Sequence, residues 1–189
     1  MELCRLVFSG SGGQGVITAA IILAEAAVLY EDLNAIQSQS YGPEARGGAT
    51  RSDVIISHEE VHFPKVIQPN VLVCLTQPAY NKYSPIIRPG GLLITDSHFV
   101  QTHIGVDARR RELPMYEAVM DKIGQPVVLN ICMLGVVLGL TDVLKAESVL
   151  SVIKDRIPEQ FLEMNQQALQ LGLELAAETK DSTLAVVTP

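Results

Sequence analysis

The sequence predicts an α/β fold: three layers, α/β/α, on a Rossmann-like, mostly parallel sheet with a helical C-terminal part. Three observations carry that reading. An apolar-leaning start, Leu3 to Phe8, runs into GSGGQG at Gly10 to Gly15 and then into an apolar segment of helical composition, Val16 to Tyr30. Short runs rich in Val, Ile and Leu recur at RSDVIIS, VLVCLT and LLITDS, each bounded by polar, Gly or Pro positions. Beyond Pro114 the signals become helical.

Taken in order, Leu3 to Phe8 is a buried strand and Val16 to Tyr30 a helix whose only charge is Glu25. A helix apolar on most of its surface calls for cover beyond one sheet, such as a partner chain. LNAIQS is a second strand, so the chain opens with a βαβ unit. QSQSYGPEARGGAT is a polar, Gly-rich loop of functional type. RSDVIIS and VLVCLT are strands, and QPAYNKYSPIIRPGG is a short helix broken at Pro85. LLITDS is a strand, and THIGVD a strand near an edge. ARRRELP, the one basic cluster, reads as a solvated or subunit-facing turn, with an anion contact as the alternative. NICMLGVVLGL is a helix with Gly135 and Gly139 on one face, spacing that suits close packing of another backbone. AESVLSVIKDRI is amphipathic, PEQFLEMNQQALQLGLELAAE runs about five turns from Pro158, and TLAVVTP is unplaced. One α/β domain covering 1–189 accounts for all of this.

Composition narrows the function. Hydrophobic residues make up 48% of the 189, aromatics only 5%, and Trp is absent, so the core is Ala, Val, Ile and Leu packed around a sheet. A net charge of −7 and a pI near 5.0 argue against nucleic acid as a partner. The longest apolar run, Val127 to Leu140, is interrupted by Asn130 and falls short of the ~20 residues a bilayer requires. No signal segment opens the chain, and Cys4, Cys74 and Cys132 are odd in number and far apart. A soluble protein of a reducing cytoplasm, without membrane contact, is expected. No CxxC is present to hold an iron–sulfur cluster or structural zinc.

Two motifs match known patterns by spelling. HEEVH, His58 to His62, fits the zincin HExxH, which needs a helix to bring its imidazoles within about 6 Å. It follows the strand DVIIS and precedes Phe-Pro; on an extended chain the same spacing opens to about 13 Å. His98 and His103 supply no third ligand, and no metal site is expected. GSGGQG fits GxGxxG through Gly10, Gly12 and Gly15. A dinucleotide site also wants an acid at the end of the next strand, where Gln37 and Ser38 stand. Val16 replaces the lysine a Walker motif needs. What remains is a strand-to-helix turn whose N–H groups and helix dipole favour an anion or polar ligand atom.

With YGPEARGG, VLVCLTQPAY and GGLLITDS, the turn resembles the gamma subunit of 2-oxoacid:ferredoxin oxidoreductases, equivalent to one domain of pyruvate:ferredoxin oxidoreductase. Asn130 with MLG, and Asn165 with Ala168 and Gly172, fit as well, so the resemblance spans nearly the whole chain. It implies an assembly that converts a 2-oxoacid, 2-oxoglutarate first among candidates, and coenzyme A to acyl-CoA, carbon dioxide and reduced ferredoxin. The implied partners are alpha and beta subunits, a ferredoxin-like delta subunit as a further candidate, and ferredoxin as acceptor. Thiamine diphosphate, Mg2+, iron–sulfur cluster and coenzyme A are implied for the assembly and not for this chain alone, which carries no GDG motif and no nucleophile–base pair. The isolated chain is expected to be inactive and to contain no catalytic residue.

The expected cofactor-facing residues are Gly10, Gly12, Gly13, Gln14 and Gly15 in the turn and Tyr41, Gly42, Glu44, Arg46, Gly47 and Gly48 in the following loop. Adjacent first and second strands would place both segments at the carboxyl edge of the sheet. Arg46 suits a carboxylate or phosphate, or else ties the loop to a carboxylate within the chain. Gly47 and Gly48 allow close approach, Glu44 pairs with Arg46 or a neighbouring cation, and Tyr41 lines an apolar wall. Two other readings stay open: an NAD(P)-dependent dehydrogenase, and an interaction domain that binds no small molecule.

Overall fold

The computed structural model describes residues 3–40, 49–103 and 105–184, which form two compact units, Met1–Pro114 and Met115–Pro189. In the first unit the order is β1 (Cys4–Gly10), α1 (Val16–Tyr30), β2 (Asn34–Ser40), β3 (Thr50–Ser57), β4 (Val71–Cys74), α2 (Gln77–Tyr83), β5 (Gly91–Asp96) and β6 (Ala108–Leu113). The strands form a six-stranded sheet ordered β2-β3-β1-β4-β5-β6. β1, β4, β5 and β6 are parallel neighbours, whereas β3 runs antiparallel to both β1 and β2. The sheet is therefore mostly parallel, as expected. The opening βαβ unit differs from expectation, because its two strands are parallel but β3 lies between them.

Alternation along the strands divides the apolar residues between two faces. Val7, Ile55, Leu72 and Leu93 join Ala79, Tyr80 and Tyr83 of α2 in one buried cluster, closed by Val66 and Val100. Leu6, Phe8, Val54 and Ile56, also buried, point to the other face, where α1 packs on β1, β2 and β3. α1 buries Val16, Ala19, Ala20, Ile22, Leu23, Ala26 and Ala27, and its alanines let it lie close to the sheet. Its last turn leaves Val28, Leu29 and Tyr30 exposed.

The basic cluster is strand β6 itself, in place of the turn expected there and of the strand expected at THIGVD. Among the described residues β6 pairs only with β5, so it is an edge strand of which apolar alternation is not required. Arginines on an open edge also discourage pairing with other chains.

The second unit is helical: α3 (Met115–Lys122), α4 (Leu129–Thr141), α5 (Ala146–Arg156) and α6 (Glu159–Leu184). α4 buries every residue from Leu129 to Leu138. It packs along α6 through glycines: a Cβ built on Gly135 meets the carbonyl oxygen of Leu169, and one on Gly172 meets that of Cys132. Pro158 sits one residue before α6, which has 26 residues, about seven turns and longer than its apolar pattern indicated.

The cysteines behave as small core residues. Burial pushes the Cys4 thiol up to about 11 against an opposing pull from Arg5. Burial likewise pushes Cys74 to about 12, opposed by its contact with the Ser9 hydroxyl. Cys132 is fully buried. At pH 8, iodoacetamide should therefore label native protein slowly and all three thiols once denaturant is added, read by intact mass. Rapid labelling of Cys74 in native protein would contradict this packing.

Candidate functional site

The Gly-rich turn joins β1 to α1 at the carboxyl edge of the parallel strands. Each glycine has a separable reason. A Cβ on Gly10 would stand 2.5 Å from Oε1 of Gln14, so only glycine leaves room for that side chain to fold back. Gln14 Oε1 accepts a 2.7 Å hydrogen bond from the Ser11 N–H, and the Gln14 N–H donates to the Ser11 carbonyl at 3.3 Å. Gln14 thus braces the turn from within. Gly13 and Gly15 have φ of 89° and 69°, in the left-handed region that side chains resist. Gly12 and Gly13 have open space where a Cβ would point.

α1 begins after Gly15 with no side-chain cap and no acidic residue in its first turn. Its first N–H groups and the positive end of its dipole therefore face the open side of the turn, an arrangement suited to a phosphate or carboxylate. Among the described residues no group of three or more His, Cys, Asp or Glu is placed to hold a metal. His58 to His62 has no regular secondary structure, so HEEVH lacks the helix its zincin reading requires.

Strand register places the ends that flank the second segment. Gly10 pairs with Thr50, and Ser40 with Arg51, so the end of β2 and the start of β3 lie at the edge occupied by the turn. Paired Cα atoms stand about 5 Å apart. Tyr41, Gly42, Glu44, Arg46, Gly47 and Gly48 themselves lie outside the described residues. The described ends on either side of that segment are brought beside β1 through the intervening β3 and not through adjacency of β1 and β2. That insertion also weakens the dinucleotide reading. In a Rossmann site the strand after the first helix lies beside the first strand and presents the ribose acid. Here β3 takes that place, and Gln37 of β2 donates to the Ser52 hydroxyl at 2.7 Å.

An ion pair the sequence did not reveal holds the loop's return. Arg51 donates from Nε and Nη2 to Asp53 at 2.6 and 2.9 Å, and from Nη2 to the Val66 carbonyl at 2.5 Å. Its guanidinium lies 5.6 Å from the centre of the Tyr83 ring, whose hydroxyl donates to the Ala49 carbonyl at 3.1 Å. Asp53 also accepts from the Val66 N–H at 3.1 Å. The only sequence signal is an Arg-x-Asp pair at the mouth of an otherwise apolar strand.

Two grooves of this unit lie elsewhere, at the other ends of the strands: one of about 890 Å3 along Leu3, Arg5 and Ser57, and one of about 600 Å3 along Arg5, Lys65 and Arg88.

The family described as pyruvate ferredoxin/flavodoxin oxidoreductase matches residues 5–175. The chain belongs to that family. Its fold is that of the keto/oxoacid ferredoxin oxidoreductase gamma subunit from Geobacter sulfurreducens, with a TM-score of 0.84 and 40% identity over 93% of this chain and 99% of that one. It is 45% identical to the 2-oxoglutarate synthase subunit KorC of Methanocaldococcus jannaschii, covering 90% of this chain and 92% of the relative. The ketoisovalerate oxidoreductase subunit VorA of Methanothermobacter thermautotrophicus is 36% identical over 95% of this chain but only 38% of its own length. The chain is thus part of an oxidoreductase, and other subunits are its partners. No helix among the described residues is long and apolar enough to cross a membrane.

Proposed function

We propose that the chain is the gamma subunit of a cytoplasmic 2-oxoglutarate:ferredoxin oxidoreductase, which forms succinyl-CoA, carbon dioxide and reduced ferredoxin. The observation that carries this reading is its 45% identity to a 2-oxoglutarate synthase subunit across nearly the full length of both chains. Alpha and beta subunits complete the enzyme, with a ferredoxin-like delta subunit as a further candidate. They hold thiamine diphosphate, Mg2+ and the iron–sulfur cluster, and the thiamine cofactor supplies the decarboxylation chemistry when bound.

This chain contributes one wall of the coenzyme A or oxoacid site. The N–H groups at the start of α1 and the exposed backbone of Gly12 and Gly13 receive an anionic group, and Arg46 adds a permanent, bidentate positive charge. Gln14 keeps the turn in register, and Arg51 with Asp53 fixes where the loop returns.

The assay is dye reduction by the complex purified with its native subunits, dependent on coenzyme A, across a panel of 2-oxoacids. 2-Oxoglutarate should give the highest kcat/KM; preference for pyruvate or a branched-chain oxoacid would reassign the substrate. Two variants test the wall. Arg46→Ala should raise KM for coenzyme A or oxoacid roughly ten- to a hundredfold, the loss of one charged hydrogen-bonding partner. Gly12→Ala meets no atom within 4 Å and should leave the melting temperature unchanged while raising the same KM. Unchanged kinetics in an intact complex would remove both loops from the site.

A further inference from the structure

We infer that the cationic groove at the opposite edge of the sheet, lined by Arg5, Phe63, Lys65, Ile67 and Arg88, is a docking surface for an acidic segment of a partner subunit. It measures about 600 Å3 and continues into the larger groove beside it. Arg5 comes from β1, Lys65 from the connection between β3 and β4, and Arg88 from the turn after α2. Three separate segments thus bring cations to one place, in a chain with 21 acidic residues against 14 basic ones.

Among the described residues none of these three side chains forms an ion pair or a side-chain hydrogen bond. No carboxylate lines the smaller groove, and the carboxylates of the larger one, Glu59 and Glu60, are not paired with them. Three like charges left unneutralised repel one another, and an anionic occupant relieves that repulsion.

The segment bearing two of the groove's anchors is rigid. Ser38 Oγ donates to the Pro64 carbonyl at 2.9 Å, and both the N–H and the carbonyl of Val66 are held by the Arg51–Asp53 pair. Val66 is buried, and the residues around it turn outward: Phe63 is 60% and Ile67 67% exposed. Apolar side chains held in water by a pinned backbone are pre-formed anchors, the usual centre of a protein interface.

An extended polypeptide fits an open groove with paired apolar and cationic anchors better than a small anion does, since a small anion would leave Phe63 and Ile67 uncovered. In the ketoisovalerate relative most of the chain lies outside the shared region, so that protein carries further polypeptide joined to its copy of this unit. Acidic residues on the partner would meet the cations, steering encounter and fixing register.

The inference rests on the chain working within an assembly, and the test separates the two. Lys65→Glu/Arg88→Glu is introduced into the full chain co-expressed with its oxidoreductase subunits, with Lys154→Glu as a control on the exposed side of α5. Among the described residues neither replaced groove side chain makes a hydrogen bond, so the melting curve should not change. Association should weaken about tenfold or more, and binding of unmodified protein should fall as salt rises. Phe63→Ala should weaken association without changing its salt dependence. A photo-crosslinking residue at position 63 in the purified complex should attach to an acidic segment of one partner.

Intact, salt-insensitive association of the double variant would overturn the inference. So would titration of the full chain with inorganic phosphate or coenzyme A that loses binding in the double variant while association stays intact, which would make the groove a small-anion site. Failure of unmodified protein to assemble would overturn the oxidoreductase reading and this inference with it.

Discussion

Asp53→Ala should cost about 3–5 kcal/mol of stability, because it leaves the Arg51 guanidinium mostly buried without its carboxylate. The side chains of Arg51 and Asp53 are only 14% and 9% exposed, so water cannot replace the lost partner. Chemical denaturation followed by circular dichroism measures the effect. The diagnostic control is Arg51→Met/Asp53→Leu, which removes both charges and should recover part of the loss, the remainder reflecting the Val66 N–H and carbonyl left without their partners. Recovery would show the cost to be an orphaned charge and not lost packing. Asp53→Asn keeps the shape and one acceptor for the Val66 N–H, so it should fold. It should also raise KM for whichever ligand meets Arg46, with kcat nearly unchanged, because it loosens the loop's return and touches no reacting atom. A lowered melting temperature with unchanged kinetics would restrict the pair to stability.

The second large effect belongs to the α4–α6 seam. Gly172→Ala drives a methyl group toward backbone on α4, with the Val136 nitrogen at 2.8 Å and the Gly135 Cα at 2.9 Å. Backbone cannot swing aside as a flexible side chain can, so the two helices must separate. Overpacking costs roughly 1–3 kcal/mol and more where rigid groups meet, less about 1 kcal/mol regained from the better helix propensity of alanine. A net loss near 2 kcal/mol lowers the melting temperature by about 4–8 °C in a chain this long. Gly139 offers a repairable version. Its absent Cβ would stand 2.5 Å from the Cβ of Ala176, so Gly139→Ala should destabilise and Gly139→Ala/Ala176→Gly should restore much of the loss. Equal melting temperatures for Gly172→Ala and unmodified protein would show the seam to be loosely packed.

What the sequence makes legible follows from how local each cause is. The turn between β1 and α1 is written in neighbouring residues, and the absent ribose acid after Gln37 already pointed away from a dinucleotide. The placement of β3 depends on pairing across some forty positions, Gly10 with Thr50, which no local pattern encodes. β6 was misjudged because an edge strand satisfied on one side can be basic, and its only firm apolar anchor is Leu113. α6 outran its apolar stripe because its later turns need helix propensity more than burial. HEEVH lies outside any helix, as its place after the strand DVIIS indicated. The Arg51–Asp53 pair escaped notice because alternation puts i and i+2 on one face, a spacing shared by any strand.

The antiparallel course of β3 has a consequence for how such chains diversify. Because β2 and β3 are neighbours running in opposite directions, a connection between Ser40 and Arg51 need only reverse direction. The closure entropy of such a reversal grows slowly, by about 0.6 kcal/mol for each doubling in length. Insertions and replacements there would leave the strand ladder in register, so the length and composition of this connection can drift while the scaffold is conserved.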